Sequence, residues 1–302
     1  MGEKRGGAGA QKASKASSSA SASETERHEL AHAMTRGTFL KFGSLGIVKA
    51  LGLIYNIIIL RMLPPAVAGL FQIVNNFVGI VSQFMSAGLP SAALRYAPLY
   101  SGRGEKEKLK RLVWTLSMVT VAMGIAVGAV LFAFSDAIAA AYGQPIGPVM
   151  PWVAILSLLF MLFNFWSNLL DALKQFGRSS ALQAAQQLIR VVLTLAAFLW
   201  IGRTADIALG TYALTLLLPT VWLVWHFWGW LARLPGKLAF SWGVLFESMK
   251  FGIPAYISST VDVLSTYIDV LMVGYFLGLE AAAAYSAIVI FVRNIAPFVT
   301  ST

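Results

Sequence analysis

The residues of this chain able to do chemistry are charges set inside long apolar runs. Asp262 and Asp269 stand seven residues apart within the run Lys250–Ser286. At 3.6 residues per turn they share one helical face, with Ser258 and Ser265 on the same stripe. Lys49, Arg190 and Arg293 are basic residues in equally apolar surroundings. A charge at the centre of a bilayer costs about 3 kcal/mol even on lenient scales. Such groups therefore face protein or a wet cavity and take partners of opposite charge. For Arg190 and Arg293 the partner is either an anionic substrate or Asp262/Asp269. The two acids, in turn, suit the carriage of a proton or Na⁺. Lys49, close to a membrane entry, either faces the cavity or snorkels to the interface.

Amides supply the second kind of chemistry. Gln72, Asn75, Asn76, Gly79, Gln83 and Ser86 follow a three-four spacing that draws one polar face. Lys49, Gly52 and Asn56 form another, and Gln183, Gln186, Gln187, Arg190 and Thr194 a third. Asn164 and Asn168 read as packing contacts to a neighbouring helix. Arg61 and His226, the latter in a Trp-rich cluster, read as interfacial groups. The sequence holds no HExxH, GxSxG or phosphate-cradling Gly-Lys loop, no metal-spaced histidines and no cysteine. An enzyme is not expected, and neither is a metal or cofactor.

The elements that carry these residues are membrane helices. Of 302 residues, 58% are hydrophobic and 12% charged, with a mean hydropathy of +0.72. Soluble domains are about a quarter charged. Eight apolar segments follow Gly37: Phe42–Met62, Val67–Leu89, Leu112–Phe134, Val149–Leu170, Ala181–Ile201, Ile207–Trp230, Phe251–Leu277 and Ala281–Thr302. Each is long enough to cross about 30 Å of hydrocarbon as a helix. The fold class is all-α, a polytopic membrane helix bundle of about eight spans.

The net charge of +10 does not indicate nucleic acid, because the basic residues cluster between spans. Arg95, Arg103, Lys106, Lys108, Lys110 and Arg111 fill the second connection, Lys174 and Arg178 the fourth, and Arg233, Lys237 and Lys250 the sixth. The intervening connections hold Asp136, Arg203 with Asp206, and Glu280. This alternation puts the N-terminus in the cytoplasm of a multi-pass cell-membrane protein. Residues 1–36 form a low-complexity basic tail, disordered and either inert or in contact with anionic lipid heads.

The motif Lys41-Phe42-Gly43 returns as Lys250-Phe251-Gly252, six spans later. An even number of spans makes this a parallel repeat. Segments one, two, seven and eight are expected to line a shared cavity, with segment three peripheral. The domains are the tail, a first six-helix lobe over 37–232, and over 233–302 a linker with two helices of a second lobe.

The stretches GTFLKFGSLGIVKALGLIYNIIILRMLPPAVAGLF, GLPSAALRYAPLYSGRGEKEKLKRL and YIDVLMVGYFLGLEAAAAYSA resemble polysaccharide or oligosaccharide flippases. That family belongs to the multidrug/oligosaccharidyl-lipid/polysaccharide exporter superfamily. The resemblance implies two six-helix lobes in a V around a cavity. It further implies alternating-access movement of a lipid-linked (polyprenyl-diphosphate) saccharide, driven by H⁺, Na⁺ or the membrane potential. Lys49, Asn56, Asn75, Asn76, Gln83, Arg190 and Arg293 would bind the substrate, and Asp262 and Asp269 would couple the ion. Family members have more spans than eight, so this chain reads as a fragment or as the partner of a separate second lobe. The alternatives are a cation-coupled multidrug exporter of the same superfamily and a non-transporting scaffold for glycosyltransferases.

Overall fold

The computed structural model describes residues 43, 46–143 and 146–299, the side chains of 294–299 excepted. The tail of 1–36 and most of the first Lys-Phe-Gly lie outside the described residues. Helices dominate, and no strand occurs among the described residues. In chain order they are α1 (46–62), α2 (Pro65–Ser86), α3 (Leu89–Gly102), α4 (Lys106–Ala133), α5 (Ser135–Tyr142), α6 (Met150–Ala172), α7 (Phe176–Trp200), α8 (Ala205–Arg233), α9 (Trp242–Leu277) and α10 (Leu279–Val299). Six of these, α2, α4, α6, α7, α8 and α9, are long and apolar enough to cross a membrane by themselves.

The breaks have local causes. Pro65 opens α2, where its missing N–H would have had no partner in any case. The Thr204 and Ser241 hydroxyls accept from the N–H groups of Ile207 and Val244, each at 3.4 Å, and so cap α8 and α9. Ala87 and Gly88 take left-handed conformations and turn the chain from α2 into α3.

Three expectations change here. The second connection is mostly helix, because Leu89, Ala92, Ala93, Tyr96, Ala97 and Tyr100 bury one face of α3. Pro90 and Pro98 mask that periodicity in the sequence. The third connection likewise contains α5. The seventh span begins at Trp242 under its Ser241 cap, so Gly252 and Pro254 lie inside α9 and do not open it. At 1.5 Å per residue its 36 residues run about 54 Å, well beyond the hydrocarbon thickness.

α6 is the hub, packed against α2, α3, α4 and α8, while α7 leans mainly on α8. α9 and α10 pack against each other and against α2, with α3 also meeting α9. α2 is thus the seam between the early helices and the last two. Gly88, at φ +77°, has its backbone directly against the carbonyl of Gly252, which leaves no room for a Cβ. The linker 234–241 is clamped to α4. Buried Lys110 donates to the carbonyls of Leu234 and Gly236 at 2.8 Å, and the Ser241 N–H donates to Thr115 Oγ1 at 3.2 Å. Lys110, one of the basic residues of the second connection, is thereby buried at the carbonyl end of α8.

Candidate functional site

Three cavities follow one another through the bundle. The first, of about 210 Å³, lies between α6, α7 and α8 and is walled by Asn164, Asn168, Gln183, Gln187, Arg190 and Tyr212, among others. The second, about 260 Å³, lies between α2, α6 and α9, with Gln83, Ser86, Asn164, Asn168, Ser259 and Tyr267 in its wall. The third, about 110 Å³, is enclosed by α1, α2, α9 and α10 and presents Asn56, Gln72, Asn75, Asn76, Ser286 and Arg293. Asn164 and Asn168 belong to the first two, and Tyr267 to the last two. A polar seam therefore runs from α7 through α6 and α2 to α10.

Asn164 and Asn168 are not the inter-helical contacts the sequence suggested. Each donates one amide N–H to a carbonyl one turn earlier, Phe160 and Asn164 respectively, at 2.8 Å. The rest of each amide is left to the cavities. On α2 the stripe is wired laterally. Gln72 donates to Asn56 Oδ1 at 3.1 Å and Gln83 to Ser259 Oγ at 2.7 Å, while Asn76 bonds back to the Gln72 carbonyl. Gly79 lets the Tyr267 ring lie where a side chain would stand, 2.8 Å from an added Cβ.

Of the two partners considered for Arg190, an anionic substrate or the acids of α9, the acids do not pair with it. Its guanidinium lies over the rings of Tyr55 and Tyr212, 3.9 and 3.8 Å from their centroids. Ring faces carry negative electrostatic potential and hold a cation when water is scarce. No ion pair among the described residues involves Arg190, and its Nε is buried without a hydrogen bond.

Arg293 does have an acid, Asp269, at 3.5 Å. Tyr285 Oη donates to the same Asp269 oxygen at 3.3 Å, and the other oxygen is buried without a hydrogen bond. Asp262 does not join them. It lies two turns farther from the Gly278 corner and is exposed, so the two acids share a helix face but not a site. Lys49 is half-buried and lines none of the three cavities. Segments one, two, seven and eight do enclose a cavity, the third one. The two larger cavities, however, both involve α6, with α7 and α8 at one and α2 and α9 at the other.

The sequence reading missed Tyr55, Tyr212, Tyr267 and Tyr285. Aromatic residues in apolar helices usually fill core, and nothing in their spacing sets these four apart. The amides of α6 and α7 did carry a signal, the three-four recurrence of Asn164/Asn168 and of Gln183/Gln186/Gln187.

Solved structures of MOP-superfamily transporters share the fold of this helical bundle. A MOP-superfamily transporter from Pyrococcus furiosus, whose binding pocket is described as of reverse polarity suggesting a different function, matches with a TM-score of 0.62 at 15% identity over 87% of this chain and 66% of its own. Inward-facing and outward-facing conformations of a multidrug resistance MATE family transporter match with a TM-score of 0.57 each, at 15% and 16% identity. They cover 82% and 89% of this chain and 60% and 67% of theirs. The chain thus spans roughly two thirds of the length of these neighbours. No curated protein matches it. The chain belongs to the polysaccharide biosynthesis protein family, which matches residues 34–302. It is a multi-pass membrane protein with the fold of these transporters.

Proposed function

We propose that the protein moves a lipid-linked saccharide with an anionic diphosphate head across the cell membrane by alternating access. The observation that carries this reading is Arg190, a cation held against two aromatic rings with no acid paired to it among the described residues, in a cavity that also presents five side-chain amides. A diphosphate leaving water loses hydration, which charge-assisted hydrogen bonds from a guanidinium replace. The amides of Asn164, Asn168, Gln183 and Gln187 suit sugar hydroxyls, and Asn56, Asn75, Asn76 and Gln83 extend the same polar path. Membership of the polysaccharide biosynthesis family supports the substrate class. Asp269, half-satisfied beside Arg293, is the candidate for a coupling proton or Na⁺, and protonating it would release Arg293. The loop charges support a cytoplasmic N-terminus. The return of Lys-Phe-Gly at Lys250-Phe251-Gly252, an even number of apolar segments after the first, supports reading α9 as the start of a second lobe, after a first lobe over 37–232.

A second reading, cation-coupled multidrug export, is favoured by the multidrug resistance MATE neighbours and by the intramembrane carboxylate of Asp269. One experiment separates the two. The protein is reconstituted into proteoliposomes with a fluorescent polyprenyl-diphosphate disaccharide in one leaflet, or with a fluorescent lipophilic cation. Protein-dependent movement of the saccharide, read as protection from a membrane-impermeant quencher, supports flipping. Movement of the cation alone supports the exporter and overturns the flippase reading.

A further inference from the structure

A fourth cavity stands apart from the polar seam. It measures about 390 Å³ and lies where the end of α8 meets the start of α7, walled by Arg178, His226 and Arg233 together with Trp225, Trp228 and Trp230. Both arginines come from the basic connections, so the cavity sits at the basic end of the bundle. Gln175 Oε1 accepts from Arg178 Nη1 at 3.0 Å and orients the guanidinium. His226 stacks on Trp222 with ring centroids 5.2 Å apart. No ion pair among the described residues involves Arg178 or Arg233.

What adjoins these charges is greasy. Trp225 is 73% and Trp228 56% exposed, and the same outward stripe of α8 continues through Val221 and Leu218, 58% and 56% exposed. Tryptophan settles at the level of lipid headgroups, and the aliphatic stripe beyond it faces acyl chains. We propose that this cavity binds the phosphodiester headgroup of an anionic membrane lipid. The two arginines hold the phosphate, and one acyl chain lies along Trp225, Val221 and Leu218. A free phosphate would satisfy the arginines but leave that stripe unused. The site is separate from the transport seam and adds a lipid requirement to the protein.

The test uses the tryptophans as reporters. The purified protein is titrated in mixed micelles with phosphatidylglycerol or phosphatidylcholine carrying brominated acyl chains, which quench nearby indoles. Quenching should saturate at far lower mole fractions with phosphatidylglycerol. The pair Arg178→Gln/Arg233→Gln should weaken it about 25-fold, as two interfacial arginines each contribute about a factor of five. Trp225→Phe/Trp228→Phe leaves the arginines in place and guards against a misfolded double variant. It should remove the lipid-selective part of the quenching. Equal quenching by both lipids, or selectivity that survives either pair of substitutions, overturns the proposal. Displacement of phosphatidylglycerol by millimolar inorganic phosphate would also overturn it, assigning the arginines to a soluble anion.

Discussion

Arg190 and Arg293 look alike in the sequence and are held in opposite ways. Arg190 lies over the rings of Tyr55 and Tyr212, and its Nε is buried without a hydrogen bond. Arg190→Ala in the full protein should lower saccharide movement by about 10- to 100-fold, the worth of one charged hydrogen-bonding contact, with little change in melting temperature. Arg190→Lys should recover part of the activity, since an ammonium can sit on the rings but cannot form a fork. A large fall in melting temperature for both variants would instead assign Arg190 to structure. Arg293, by contrast, already has Asp269. Both side chains are about one third exposed, 37% and 35%, so their coupling should be about 1 kcal/mol or less. A double-mutant cycle with Asp269→Asn and Arg293→Gln, followed by thermal unfolding, measures it. A larger coupling would mean the pair is drier than its exposure indicates.

At the scale of elements, the seam between α2 and α9 is set by close backbone approach at the α2–α3 corner and by the bond from Gln83 to Ser259 Oγ at 2.7 Å. Gly88→Val would place a branched side chain at positive φ against the Gly252 carbonyl. It should push the start of α9 away from the α2–α3 corner. The chain has no cysteine, so Gln83→Cys/Ser259→Cys gives a clean crosslinking pair across that seam. A short bifunctional thiol reagent should join them in the native background and do so much less with Gly88→Val. Near the other end of α9, α5 acts as a brace. Tyr142 Oη donates to the Leu271 carbonyl at 2.8 Å, and its ring meets those of Phe77 and Tyr275. Burial pushes its phenol up to about 12 from an ordinary value of about 10. The folded state thus favours the neutral phenol. Its contribution is whole below pH 10 and fades as pH rises towards 12. Tyr142→Phe keeps the ring contacts, lowers stability at neutral pH, and should narrow the gap to the native protein as pH climbs through that window. A gap in melting temperature that stays constant with pH would exclude this role.

For the whole molecule, the distribution of charge makes the orientation testable. Arg103 follows α3 at the basic end, and Asp136 lies in α5 at the opposite one. Single cysteines at these positions should react with a membrane-impermeant maleimide from opposite faces of sealed vesicles. Labelling of both from one face would overturn the assigned topology. The clamp of Lys110 on Leu234 and Gly236 fixes the linker to the early helices. Lys110→Met removes a buried charge but orphans two carbonyls, and should loosen α9 by about 1–3 kcal/mol of lost bonding. Faster proteolysis of residues 234–241 would report it.

The sequence alone determined the helical membrane class, the polar faces of α2 and α7, and the alternation of basic and non-basic ends. Each follows from a local rule: helical periodicity, the exclusion of charge from hydrocarbon, and the bias of Lys and Arg between loops. It could not determine which faces meet. In an apolar solvent hydrophobicity does not distinguish a helix face turned to lipid from one turned to another helix. The pattern therefore could not say that Tyr55 of α1 and Tyr212 of α8 converge on Arg190 of α7. Nor could it separate Asp269, covered by α10, from Asp262 on the same face two turns away. Those assignments came from close packing, in which Gly88 admits the Gly252 backbone and Gly79 admits the Tyr267 ring. Steric fit between helices far apart in the chain leaves no periodic trace in either one.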